Sequence, residues 1–301
     1  MWLVYAFISA ALLGIYDLFK KGALRNNAVI PVLFLNTLFC SLLFLPVILM
    51  SRFAPDTMSG TLFYVPKVGI DQHLFVMLKA VIVLTSWIFA YFAVKNLPIT
   101  IASPIKATQP VLTLLGAMLI FGERLNTYQW IGVAFAVTSF FMMSWSGKSE
   151  GINFRRNRWI WYIVLATIAG AASGLYDKYL ISNGFDRMTV QVWYTYYQMA
   201  LMAAVMLFLW YPNRKKSTPF RWTPAIFCVS LFLVVADFIY FYALSFPDSM
   251  ISVVSMSRRS GVVVAFIGGA LFFKEKNIRK KSIDLVLVLI GMYFLYLGSI
   301  Q

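Results

Sequence analysis

Ten apolar runs of about 18–23 residues, each long enough to cross roughly 30 Å of hydrocarbon as a helix, take up most of this chain. They lie near 2–22, 29–50, 73–95, 99–121, 127–146, 159–181, 189–211, 224–245, 250–273 and 282–299. With 61% of the 301 residues hydrophobic and 12% charged, an ordinary soluble composition is excluded. The predicted fold class is an all-α membrane protein of ten transmembrane helices, with no room for a soluble domain. A net charge of +15 does not imply nucleic acid, because the basic residues sit in short loops between the runs. Loops after odd-numbered runs carry 17 Lys and Arg, and the opposite loops carry 5. Cytoplasmic loops hold the excess in membrane proteins, so both termini are expected outside the cytoplasm. Nothing basic precedes the first run, which reads as a span and not as a cleaved signal.

The runs form two copies of one unit. Gly14-Ile15-Tyr16-Asp17 returns as Gly174-Leu175-Tyr176-Asp177, and Phe121-Gly122-Glu123-Arg124 returns as Phe273-Lys274-Glu275-Lys276. In the second register Lys106 of run four aligns with Arg258 of run nine. Five runs per copy is an odd number, so the second copy enters the membrane from the other side. The expectation is two inverted five-helix repeats around a central cavity, residues 1–146 and 159–301, with a basic cytoplasmic linker at 147–158. Run four contains Pro104 and Pro110, each of which removes a helical hydrogen bond. Run nine has no proline there but carries Ser252, Ser255, Ser257 and Ser260 beside Gly261. Polar, interrupted backbone at membrane depth survives only where it is buried in protein or lines a cavity, so both runs should border the solute path. Gly261, Ala265 and Gly269, spaced by four, read as close helix packing.

Candidate site residues follow from charge inside these runs. An intramembrane cation costs roughly 2.5–3.5 kcal/mol on insertion scales, so Lys106, Arg258 and Arg259 need a compensating role. Arginine offers a planar fork matched to carboxylate or phosphate and lysine a point charge, which points to an anion site. The alternative is internal salt bridging to Asp17, Asp177 and Asp237, and a mixture of the two is also consistent. The repeated pairs Tyr16-Asp17 and Tyr176-Asp177 read as a gate, a proton-titrating carboxylate or a hold on an amine. They read equally as helix-end ion pairs, with Lys20 or Lys21 beside Asp17 and Lys178 beside Asp177. Asn36, Tyr91, Tyr197 and Tyr240 lie deep enough to line a cavity, and Asp237 joins them in the expected substrate-binding set. Glu123 and Glu275 read as boundary ion pairs beside Arg124 and Lys276. His73, Cys40 and Cys228 have no metal-ligand spacing, no motif of a hydrolase or phosphate-loop enzyme occurs, and no cofactor is expected.

With its repeats laid out, the chain resembles the drug/metabolite transporter superfamily, in particular its EamA-type ten-helix members. The carrying segments run from Pro98 through Pro110 to Phe121-Gly122-Glu123-Arg124, and from Pro247 to Phe273-Lys274-Glu275-Lys276. The resemblance implies a basket of inverted repeats working by alternating access, with substrates ranging over amino acids, drugs, sugars, nucleotide sugars and sugar phosphates. The triose-phosphate translocator branch is similar in one further respect. It holds the substrate phosphate with a lysine in helix four and a Lys-Arg pair in helix nine, where this chain has Lys106 and Arg258-Arg259.

The expected function is therefore secondary transport of a small anionic, possibly phosphorylated metabolite in a bacterial inner membrane. An amino-acid or zwitterion or drug exporter is the alternative within transport. A flippase for a lipid-linked phosphate, or an enzyme acting on one, is the alternative from another class. The partners are the lipid bilayer and the small molecule, with monomer and homodimer both open. A reporter active only in the cytoplasm, fused after Gln301, should stay dark, and a bright signal would overturn the assigned orientation.

Overall fold

The computed structural model describes residues 2–121, 125–148, 152–244, 257–275 and 277–299, and every regular element among them is a helix. In chain order these are α1 (Trp2–Leu24), α2 (Val29–Phe53), the single turn α3 (Pro55–Met58), α4 (Ile70–Asn96), α5 (Ile99–Ala107), α6 (Gln109–Phe121) and α7 (Thr127–Lys148). There follow α8 (Arg158–Ser182), α9 (Arg187–Val205), the single turn α10 (Tyr211–Asn213), α11 (Pro224–Leu244), α12 (Gly261–Phe272) and α13 (Ile278–Ser299). Five stretches have the length and apolar composition of a membrane crossing: Val29–Phe53, Ile70–Asn96, Arg158–Asp177, Arg187–Lys216 and Ile278–Gly298. Gly122, Glu123, Arg124, Pro247, Ser252, Ser255 and Lys276, which the sequence singles out, lie outside the described residues.

Some of the helices begin where side chains satisfy free backbone N–H groups. At α7, Asn126 and Gln129 exchange side-chain bonds to each other's backbone N–H at 2.9 and 3.0 Å, a reciprocal cap. At α9, the Asp186 carboxylate accepts from the Thr189 N–H at 2.7 Å. Each long helix of the first half finds its main packing partner in the second: α1 on α11, α4 on α8, α7 on α13 and α2 on α9. Large apolar side chains such as Phe53, Phe141, Phe208 and Leu271 face outwards. That arrangement suits lipid, which is as apolar as leucine and does not drive such groups inwards.

Small residues set how closely the halves approach. The Gly14 position lies against the Gly261 carbonyl oxygen, 2.6 Å from where a Cβ would stand, and a Cβ on Gly261 would run into the Ala10 carbonyl. Gly268 receives the end of Leu18, and Gly269 receives Ile99. The four-residue spacing read from the sequence is thus a packing seam, with α12 laid against α1 and α5.

Run four is broken at one place only. Pro104 sits within α5, whereas the helix stops at Thr108 and restarts as α6. Pro110 has no N–H to return to the carbonyl of Lys106, and the Thr108 hydroxyl turns back to the Ile105 carbonyl at 2.7 Å. In run nine, Ser257 to Arg259 are helical and α12 starts after Ser260, whose hydroxyl donates to the Ser257 carbonyl at 2.7 Å. Both breaks fall two residues after the aligned cation, Lys106 in one copy and Arg258 in the other.

The corner between α4 and α5 is held from both sides. Lys21 donates to the carbonyls of Val94 at 2.7 Å and Leu97 at 2.5 Å, at the end of α4. The Glu275 carboxylate accepts from the N–H groups of Ile99 at 2.6 Å and Thr100 at 2.9 Å, at the start of α5, and also from the Thr100 hydroxyl. A cation at a helix C-terminus and an anion at an N-terminus both oppose the helix dipole. Glu275 therefore caps a helix, a role its neighbourhood in sequence did not suggest; Lys276, its expected partner, lies outside the described residues. Glu275→Ala should destabilise the purified protein by about 1–2 kcal/mol, the usual size of a lost cap. An unchanged thermal melt would show that the carboxylate does not hold this corner.

Candidate functional site

Among the described residues, the ion pairs of the helical bundle are centred on three carboxylates, Asp17, Asp237 and Asp177. Asp17 accepts from Lys20, one turn along α1, and stands 3.8 Å from the Lys106 ammonium of α5. Lys20 is 1% exposed, and its ammonium rests over the Tyr16 ring at 4.3 Å and over the Tyr91 ring at 5.6 Å from their centroids. The hydroxyls of those two tyrosines are 3.5 Å apart. Lys21, the other candidate neighbour, is committed to the α4 corner. In the second pair Asp237 of α11 holds Arg258, while the Tyr194 hydroxyl donates to the same carboxylate at 3.4 Å. The Arg258 guanidinium lies 4.3 Å above the Tyr240 ring.

The third pair joins Lys79 of α4 to Asp177 of α8, with the ammonium 5.0 Å over the Tyr194 ring. Asp177 thus takes Lys79, from another span, as its partner. Tyr194 touches the second and third pairs and links them. Arg259 carries no ion pair among the described residues, yet it is near enough to act electrostatically on both Asp17 and Lys106.

The repeated Tyr-Asp motif has unlike surroundings in its two copies. Tyr16 is buried at the centre. The Tyr176 hydroxyl reaches the Phe75 carbonyl at 3.2 Å and its ring stacks on Tyr179. Asn36 is fully buried and accepts from the Ser230 hydroxyl at 3.0 Å, tying α2 to α11. Tyr197 and the His73 Nδ1 share a hydrogen bond of 2.9 Å, and the His73 ring meets Trp193 edge-on.

Beside the Asp237 pair is a small cavity between α2, α4, α9 and α11, lined among others by Thr37, Trp87, Gln191, Tyr194, Gln198 and Asp237. It leaves about 10 Å³ for the centre of a water molecule, room for about one. Sequence reasoning missed Gln191 and Gln198, the burial of Lys20 and Lys79, and the buried Lys281 and Asp284 of α13, and it reads Tyr194 as an aromatic of the membrane belt. A signal existed for the first group: Gln191, Tyr194 and Gln198 recur at three and four residues within an apolar run.

A profile of the EamA-like transporter family matches residues 1–145 and again residues 157–297. The chain belongs to the EamA-like transporter family. It is an integral membrane transporter of the drug/metabolite superfamily, and membership points to transport of a small molecule rather than to an enzyme. A protein of Archaeoglobus fulgidus described as an uncharacterized transporter is 24% identical over 289 residues, covering 94% of this chain and 93% of that one. A solved crystal structure is alike with a TM-score of 0.64 over 98% of each chain at 14% identity, a likeness of fold.

Within this EamA-like transporter the pairs differ in how exposed their carboxylates are. Asp17→Asn would strand buried Lys20 and leave Lys106 without its nearby carboxylate, and breaking a buried pair costs about 3–5 kcal/mol. Asp177→Asn should cost less although it also strands a buried lysine, Lys79, because the Asp177 side chain is 41% exposed and the lost pair is a screened one. Thermal melts of the two variants in one detergent test the order, and equal losses would refute it.

Proposed function

We propose that this EamA-like transporter moves a small anionic metabolite, of which a phosphorylated compound is the best match, by alternating access. One observation carries the reading. Among the described residues, Lys20, Lys106, Arg258 and Arg259 gather around Asp17 and Asp237, so the cations outnumber the carboxylates, and Arg259 has no ion pair. A transported anion would supply the missing negative charge and leave with it. Lys106, Arg258 and Arg259 are its proposed grip, as in the triose-phosphate translocators that they resemble. Tyr91 and Tyr240 wall the site, and Asp237 releases Arg258 as the anion arrives.

The helix breaks after Lys106 and Arg258 support this reading. Each starts a new helix next to a cation, and helix N-termini favour anions. In our reading the chain crosses the membrane ten times as inverted repeats 1–146 and 159–301 joined by 147–158, in a bacterial inner membrane with both termini outside. The reciprocal packing of α1 on α11 and α8 on α4 supports a twofold relation between them, since each pairs a first span with the other half's third. Tyr16-Asp17 gates one side, and Tyr176-Asp177, held by Lys79, gates the other.

Arg259→Ala tests the grip with least risk to folding. Hydrogen bonds to charged groups contribute about 1.5–3 kcal/mol, so affinity for a phosphorylated substrate should fall about ten- to a hundredfold. The melting temperature should hold, because no ion pair of Arg259 is lost. Arg258→Ala should instead melt early by stranding Asp237. Screening phosphorylated metabolites, amino acids and nucleotide sugars by thermal shift supplies the ligand, and an Arg259→Ala protein that binds it normally would sink the anion site.

A further inference from the structure

The connection from α10 to α11 has no regular structure at 217–223, yet it is pinned in two places. Asn27, 1% exposed, donates to the Arg221 carbonyl at 2.7 Å and accepts from the Arg221 N–H at 2.8 Å. The same amide closes the end of α1 by donating to the Ala23 carbonyl at 3.0 Å. Lys95, at the end of α4, donates to the Thr218 hydroxyl at 2.8 Å. Arg25, Lys95, Lys216 and Arg221 are thereby gathered from three connections at one end of the bundle. None of the four carries an ion pair among the described residues. No Asp or Glu occurs in residues 18–55, 72–122 or 187–236, so the segments that form this end supply no counter-charge. Glu275, at the adjoining α4–α5 corner, is taken up by the α5 backbone. A topology signal needs basic residues on one side of the membrane but no fixed place for them, so the pinning calls for another reason.

Next to these cations the surface is apolar. Trp222, beside Arg221, is 55% exposed, and its ring meets Phe39 of α2 edge-on at 5.8 Å. Phe39 in turn meets Phe227 of α11 edge-on at 5.5 Å. Phe227, Leu231 and Val235 then repeat every four residues, all exposed, so an apolar strip runs from the rings along α11. We propose that this surface binds one anionic phospholipid. Its phosphate lies among Arg25, Lys95, Lys216 and Arg221, its glycerol level at Trp222 and an acyl chain on the α11 strip. Unpaired arginine and lysine select the phosphate. The strip selects a lipid over a soluble phosphate, which makes no use of Trp222 or Leu231. Polybasic membrane ends attract anionic lipids in general, whereas pinned cations give one headgroup a defined place. The lipid sits outside the bundle, apart from Lys106, Arg258 and Arg259, so neither this site nor the transported anion's depends on the other.

Phosphatidylglycerol and phosphatidylcholine with the same acyl chains, titrated into the full-length protein in neutral detergent and followed by native mass spectrometry, test this. The wild type should bind phosphatidylglycerol about tenfold more tightly, the size of one charge-assisted contact, because choline offsets the phosphate of the other lipid. Arg25→Gln and Arg221→Gln should each lose most of that preference. Arg279→Gln and Lys280→Gln remove the same charge from exposed positions at the start of α13. They should change the preference less than about twofold, since separated exposed charges are screened. Asn27→Ala keeps every charge but releases the loop, and it should lose the preference too; should it fail to fold, the exposed Arg25 and Arg221 variants decide. Inorganic phosphate should not displace the bound lipid. Equal wild-type affinities for the two lipids would overturn the site, as would equal losses in the loop and α13 variants, which mark a diffuse field. A folded Asn27→Ala protein that keeps the preference would overturn the pinned geometry, and displacement by inorganic phosphate would overturn the lipid as occupant.

Discussion

Asp17 accepts from Lys20 on its own helix and lies 3.8 Å from Lys106 on another, and the assembly of the bundle depends on this kind of neutralisation. A lone charge in hydrocarbon is expensive, so α1, α4, α5, α8 and α11 can enter the membrane together only where their charges meet. The carboxylates of Asp17, Asp177 and Asp237 each face a cation from a different helix. Packing and electrostatics therefore select the same helix neighbours. Aromatic rings complete the arrangement: Tyr16, Tyr194 and Tyr240 each lie under a cation, offering a π-face where water is scarce.

A second constraint acts at the membrane edge. The α4–α5 corner is only Leu97 and Pro98 long, and its helix ends would otherwise expose unpaired backbone groups to an apolar surrounding. Lys21 and Glu275 come from distant parts of the chain to satisfy them. Lys281 joins the same corner by donating to the Thr100 hydroxyl at 2.9 Å. Residues that look like loop charges in the sequence thus fix the angle between two spans.

Much of the fold was legible because length and hydropathy dominate in a membrane protein. The helical class, the interruption of run four near its prolines and the glycine seam of run nine follow from residue type and spacing alone. The neighbourhood of Asp17 was legible in part, since Lys20 is one turn away on the same helix. The Lys79–Asp177 pair was not, because 98 residues separate its partners and nothing local reveals the pairing. Lys20 was counted among the loop charges, although it is buried; a lysine near a helix end gives no sign of whether it points to water or inwards. Gln191 and Gln198 passed unnoticed because an amide in an apolar run lacks the prominence of a charge. Its place beside the cavity is a property of the folded neighbourhood, not of the sequence.

The glycine seam between α1 and α12 bears on where the charges of the bundle stand. Backbone meets backbone at Ala10, Gly14 and Gly261, and Leu18 is seated over Gly268, so the two helices are keyed together like a two-ply plank. Asp17 rides on one ply, and Arg259 sits just before the other. The seam fixes the distance between them, and α5, which carries Lys106 just before the Thr108 break, packs on the same α12. A side chain added at Gly14 or Gly261 would therefore move the charges as well as the helices, because the backbones that carry them could no longer touch.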